Sequence, residues 1–243
     1  MVIEDVHHRP LLDLRISVTD RCNMRCRYCM PREHFDKHHE FLPKEDILRF
    51  EEIVCVVQAM LPHGLRKVRL TGGEPLLRRD LHELIRQLRV CSSELDIAIT
   101  TNGLLLKKQL KELHEAGLSR VTISLDALDE QTYQSMGDTN ATPSAVLEAI
   151  DAVQRLGLPI KVNTVVKKGV NEDQILPMVK YFGQRDVSVR FIEFMDVGST
   201  NDWNLDHVLP AEVIRSMLTD EYGTLEAKRP DHASDVAKVY TTS

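Results

Sequence analysis

Two hydrophobic rhythms alternate along the chain. Short stretches with apolar residues at every second position, or in unbroken runs, predict strands over 14–18, 67–70, 96–101, 121–125, 160–166 and 187–194. Between them, apolar residues three and four apart predict helices over 44–60, 80–90, 107–116, 143–156, 172–184 and 210–219. The first helix carries an expected stripe of Leu48, Ile53, Val56 and Val57, with Pro43 and Lys44 near its start. The second carries Leu81, Leu84, Ile85 and Leu88. Six strands, each followed by a helical segment, imply an α/β fold with parallel strands and right-handed crossovers. Such a pattern suits an incomplete barrel or a doubly wound sheet. Residues 197–209 form the longest polar loop, and 223–243 has weak periodicity.

The polar and glycine features gather at the strand ends. Cys22, Cys26 and Cys29 follow the first strand, Gly72-Gly73-Glu74-Pro75 the second, and Thr100-Thr101-Asn102-Gly103 the third. Ser124 and Asp126 end the fourth, while Met195 and Asp196 end the sixth. In a parallel α/β architecture the strand C-termini share one face, where ligands bind.

Composition narrows the function classes. Hydrophobic residues make up 42% and charged residues 28%, ordinary for a globular chain. No apolar run approaches the roughly 18–20 residues that span a bilayer, and residues 1–10 hold no apolar signal core. A cytoplasmic protein without membrane contact is expected. A net charge of −6 and only 5% aromatics argue against nucleic-acid binding, while leaving room for a local basic pocket. Of five cysteines, three crowd the loop after the first strand; in a reducing compartment such clusters bind metal or do chemistry more often than they form disulfides. Cys55 and Cys91 read as packing residues in helices, and His7 and His8 as solvated.

The spacing Cys22-x3-Cys26-x2-Cys29 puts three thiolates on one loop. Zinc would take a fourth ligand from His34, His38 or His39; a [4Fe–4S] cluster held by three thiolates would keep one iron open. With Tyr28 before the last cysteine, the motif resembles the radical S-adenosylmethionine (SAM) signature. The wider run from Leu14 to Pro31 is similar to one branch, the GTP 3′,8-cyclase family of molybdenum cofactor biosynthesis. Further matches, in family order, are Arg69-Leu70-Thr71-Gly72-Gly73-Glu74-Pro75-Leu76, Thr100-Thr101-Asn102-Gly103, Ser124-Leu125-Asp126, Lys161-Val162-Asn163-Thr164-Val165 and Arg190-Phe191-Ile192-Glu193-Phe194-Met195.

The resemblance implies an incomplete (β/α)6 TIM-like radical SAM barrel over 1–222, with 223–243 as the start of a truncated C-terminal region. It implies a lyase that converts GTP to its 3′,8-cyclised 7,8-dihydro product. Cys22, Cys26 and Cys29 would hold a [4Fe–4S] cluster whose open iron is chelated by the amino and carboxylate groups of SAM. Tyr28, Gly73, Ser124 and Met195 match SAM contacts; Arg15, Arg69, Thr100 and Lys161 match GTP contacts. Three cations converging at strand ends suit a triphosphate. Read as alternating, the strands turn Arg15 and Arg69 inward between apolar neighbours, where an unpaired charge is costly and an anion would resolve the cost. Glu74 is open between a ligand contact and a cation's partner. Expected partners are GTP, an external electron donor and a second copy in a homodimer.

The chain departs from the family in having no cysteine after Cys91, whereas the family's C-terminal region carries three more for a second cluster that binds the purine. The expectation for the chain as it stands is therefore SAM cleavage without cyclised product. Competing expectations are a radical SAM enzyme with another substrate and a non-catalytic metal-binding fragment.

Overall fold

A computed structural model describes residues 3–198, 200–228 and 237–242. Six strands form one parallel sheet in sequential order: β1 (Asp13–Ser17), β2 (Lys67–Thr71), β3 (Asp96–Thr101), β4 (Arg120–Ser124), β5 (Ile160–Val166) and β6 (Ser188–Glu193). The helices between them are α1 (Phe50–Met60), α2 (Leu81–Cys91), α3 (Leu106–Glu115), α4 (Glu130–Gly137), α5 (Pro143–Arg155) and α6 (Ile175–Gly183), with α7 (Ala211–Tyr222) after β6. The edge strands β1 and β6 each pair on one side only. Of the two arrangements that the alternation suits, the sequential strand order selects the incomplete barrel, since a doubly wound sheet would reverse its order part-way.

The alternation along each strand sorts its side chains onto two faces. Val68, Leu70, Ile97, Ile99, Val121, Ile123 and Val162 are buried against Ile53, Val57, Leu84, Ile85, Leu88, Leu110, Val146, Ile150 and Phe182 of the helices. Each such side chain withdrawn from water contributes about 1.5–3 kcal/mol, so this outer layer holds the barrel's shape. The opposite face carries Arg15, Arg69, Arg120, Lys161 and Arg190, unlike that of a parallel sheet covered on both sides, and lines the inside of the open barrel, its chamber.

The elements differ from expectation in three places. The first helix does not begin at residue 44. Lys44–Asp46 is a single 3-10 turn, Ile47 is extended, and α1 starts after Arg49, whose backbone N–H donates to Glu52 Oε2 at 2.7 Å. Its buried stripe is therefore Ile53 and Val57, while Leu48 and Val56 are exposed. Helix α4, which the apolar spacing did not announce, is capped by Asp129, whose carboxylate accepts from Thr132 N. Past α7, β7 (Leu225–Lys228) pairs antiparallel with β8 (Val239–Thr242). Within the expected C-terminal segment, residues 229–236 and 243 lie outside the described residues. Among the described residues no helix is long and apolar enough to cross a membrane.

Candidate active site

The cysteine loop folds over the strand C-termini, held by neighbouring backbone. Arg25 N donates to Gly137 O at 3.2 Å and Arg27 N to Met136 O at 3.0 Å, so the end of α4 clasps the loop. The Arg25 guanidinium donates to the carbonyls of Cys22, Met24 and Phe35 at 2.8–2.9 Å, folding the segment around itself. All three thiols are free, with Cys26 buried and Cys29 exposed. A hydrogen bond between Cys26 and Cys29 pushes the Cys26 thiol up, aided by burial, and the same bond draws Cys29 down. Burial raises Cys22, which faces a cleft of about 640 Å³ also lined by Asn23, Arg25, Arg32 and Asp138.

These thiols fit a cluster. The fit is in the donor set: three thiols on one loop would supply three iron ligands, and the Cys26–Cys29 hydrogen bond would give way as each sulfur took its own iron. Among the described residues, no three His, Cys, Asp or Glu side chains converge on a single-ion site. His34, His38 and His39 are exposed, and His39 lies between Phe35 and Phe41, tilted against the first at 4.6 Å and edge-on to the second at 4.8 Å.

The paired glycines serve this loop directly. A Cβ on Gly72 would lie 2.2 Å from Thr19 O, and one on Gly73 would lie 2.3 Å from Arg21 O. Gly72 also has φ +143°, a backbone that side chains resist. Two hydrogen bonds form across this contact, Gly73 N to Thr19 O at 2.9 Å and Glu74 N to Arg21 O at 2.8 Å.

Glu74 is neither the solvated partner of a cation nor open to a ligand: it is 1% exposed. Its carboxylate accepts from Leu76 N at 3.1 Å, Thr101 Oγ1 at 2.7 Å and Asn102 N at 2.7 Å. Burial raises its pKa and these three bonds oppose the rise. Glu74 thus ties the loop after β2 to the loop after β3, and Asn102 Nδ2 reaches on to Asn23 Oδ1 of the cysteine loop at 2.7 Å.

On the far side of the mouth, the Tyr28 hydroxyl donates to Asp126 Oδ2 at 2.8 Å. Asp126 also accepts from Val165 N at 2.9 Å, and burial lifts its carboxyl to about 6. Tyr28 is pushed up by burial, with the Asp126 charge adding to the effect. Asp126 follows Ser124 by two residues, so the Tyr28–Asp126 bond brings Tyr28 to the C-terminal end of β4. Met195 lies just beyond β6, 54% exposed rather than packed. Asn201 joins it to Tyr28, donating Nδ2 to Tyr28 O and to Met195 O, each at 2.9 Å.

Inside the chamber, register orders the remaining candidates. Arg15, Arg69, Ala98 and Arg120 stand in one row. Thr100, Thr122, Lys161 and Ser188 form the next row toward the mouth, and Ser124, Asn163 and Arg190 the one above. The four GTP candidates therefore occupy two adjacent rows, about 7 Å apart, below Ser124. The inward face is not apolar as expected. Arg15 is exposed, and Arg69 is 40% exposed and donates to Asp13 Oδ1 at 3.0 Å. Their apolar neighbours Ile16, Val68 and Leu70 point to the helices instead, because adjacent residues of a strand face opposite ways. Lys67, Arg120 and Arg190 add to the positive charge, which Asp13 and Asp96 offset in part. Burial and then the Arg120 cation hold the Lys67 ammonium below its usual range.

The sequence pattern of the radical SAM superfamily matches residues 16–182. The chain is 48% identical over 98% of its length to the GTP 3′,8-cyclases of Staphylococcus saprophyticus and Staphylococcus carnosus, and 45% identical to that of Staphylococcus aureus. It belongs to the GTP 3′,8-cyclase family of radical SAM enzymes. The match spans 70% of those curated relatives. Solved structures share the fold at low identity. SuiB of Streptococcus suis bound to S-adenosylmethionine aligns with TM-score 0.69 at 18% identity, over 88% of this chain and 49% of that one. The anSMEcpe structure with bound AdoMet aligns with TM-score 0.65 at 21% identity, over 87% and 60%. The superfamily uses a [4Fe–4S] cluster and SAM.

Sequence reasoning missed Asn201 as part of the site and named Asp126 only as a strand-end feature, with no role. A carboxylate at a strand end was the available signal for Asp126. Asn201 sits among Ser, Thr, Asn and Asp in a polar loop, and nothing local distinguishes it. Cys55 is exposed rather than packed.

Proposed function

We propose that this chain carries the SAM-cleaving, GTP-holding part of GTP 3′,8-cyclase chemistry, with Cys22, Cys26 and Cys29 holding the cluster, Tyr28, Gly73, Ser124 and Met195 holding SAM, and Arg15, Arg69, Thr100 and Lys161 holding GTP. The observation that carries the reading is the junction of a three-thiol loop with a polar chamber whose rows carry Arg15, Arg69, Arg120, Lys161 and Arg190. When bound, the cluster and SAM supply one-electron cleavage and hydrogen abstraction from the nucleotide ribose. The chain's own part is placement. Arginine forks and the lysine charge suit phosphate oxygens. Thr100 and Ser124 offer hydroxyls at successive heights, so a nucleotide anchored below can rise toward the mouth. The loop ties through Glu74, Asp126 and Asn201 keep the thiols and the SAM candidates in one frame.

The same proposal takes 1–222 as the radical SAM unit and 223–243 as a further region. It also includes cytoplasmic residence, homodimer formation and an external electron donor. The test is an anaerobic assay of the reconstituted chain with SAM, GTP and reductant, separated by chromatography. Reductant-dependent 5′-deoxyadenosine is the expected product. Arg69→Ala and Lys161→Ala should each weaken GTP binding about tenfold or more, the loss of one charge-assisted contact of roughly 1.5–3 kcal/mol, with SAM binding retained. No deoxyadenosine, or lost SAM affinity with GTP affinity intact, overturns the assignment.

A further inference from the structure

We infer that Asn201 is a positioning residue for the nucleoside half of SAM, locking the cysteine loop to the loop after β6 so that Tyr28 and Met195 face the cofactor as one surface; this rests on the SAM reading proposed above. Tyr28 belongs to the loop that leaves β1, and Met195 follows β6. These strands are the two edges of the open sheet, so no ladder hydrogen bond sets the distance between them. Asn201 supplies a tie. Its amide nitrogen has two hydrogens, and both are directed to backbone carbonyls, Tyr28 O and Met195 O, each at 2.9 Å. The side chain is 3% exposed.

The amide is engaged through its nitrogen alone. Asn201 Oδ1 is buried with no hydrogen-bond partner. A buried acceptor without a donor is unfavourable, and an apolar side chain of similar volume would avoid it. What the amide gains in exchange is the pair of carbonyl bonds. Each carbonyl keeps a second lone pair, so the tie leaves both groups able to accept from a ligand. The methionine end of SAM is claimed by the open iron in the proposed reading. The segments that Asn201 joins therefore serve the adenosyl end, and fixing them beforehand removes an ordering cost from binding.

The test uses the cluster-reconstituted chain and its Asn201→Ala and Asn201→Leu variants. SAM and S-adenosylhomocysteine affinities are read by equilibrium dialysis, alongside GTP affinity and iron content. Both variants should bind the two adenosyl ligands about tenfold more weakly, with iron content and GTP affinity unchanged. Leu fills the space, so a packing role predicts that Asn201→Leu behaves as wild type; that result overturns the inference. So does unchanged SAM affinity in both variants. Joint loss of iron, GTP and SAM binding in both also overturns it, since it assigns Asn201 to general folding. If the wild-type chain itself binds no SAM, the underlying reading fails first, which separates the two failures.

Discussion

Replacing Glu74 by alanine tests how the mouth is held together. The carboxylate is the shared acceptor for Leu76 N, Thr101 Oγ1 and Asn102 N, at 3.1, 2.7 and 2.7 Å. Glu74→Ala leaves two backbone N–H groups without an acceptor in a site with 1% exposure. The hydroxyl can rotate away, but the amides cannot. At about 1–3 kcal/mol per orphaned group, the loss is about 4 kcal/mol, a large part of the roughly 5–15 kcal/mol that holds a domain. With a urea slope of about 2–3 kcal/mol per molar, the midpoint should fall by roughly 1–2 M in denaturation followed by circular dichroism. Glu74→Gln keeps one oxygen and turns an amide donor toward another donor, so an intermediate loss of about 1–2 kcal/mol is expected. A Glu74→Ala midpoint within about 0.2 M of wild type would refute the structural tie, at the slope just used. If SAM affinity vanished at the same time, Glu74 would be a ligand contact.

Two further outcomes follow from the same geometry. Gly73→Ala puts a methyl 2.3 Å from Arg21 O and 2.9 Å from Asp20 O, both backbone atoms that cannot swing aside. The loops must part, at about 1–3 kcal/mol, and reconstituted iron per chain should fall while far-ultraviolet dichroism is kept; undiminished iron would contradict the close approach. Asp126 has its carboxyl lifted by burial from 3.8 to about 6. The folded chain then binds this proton more tightly than the unfolded chain, so its contribution to stability is complete below about pH 4 and is lost as pH rises through about 6. The span is about 3 kcal/mol. In the cluster-free chain, Asp126→Asn should remove that fall, and parallel pH–stability curves for the two proteins would rule it out.

The strands, their order of appearance and the gathering of chemistry at their C-terminal ends were legible in the chain itself. They depend on local periodicity: alternation at two residues and stripes at three and four are imposed by backbone geometry before any long-range contact forms. The cysteine spacing was legible for the same reason, since it acts within a few residues; the glycine pair was visible as a motif, but its close approach to Thr19 and Arg21 belongs to the folded loops. Tertiary structure alone decided what lies between elements. Arg15 and Arg69 look inward from an apolar-looking run, yet whether "inward" means a dry core or a polar chamber depends on whether the sheet closes, and six strands leave it open. Glu74, 27 and 28 residues from two of its partners, and Asn201, 173 residues from Tyr28, gain their roles from contacts that no local pattern encodes. A buried carboxylate or amide is identified by the donors and acceptors that reach it, and those come from loops that only the folded sheet brings together.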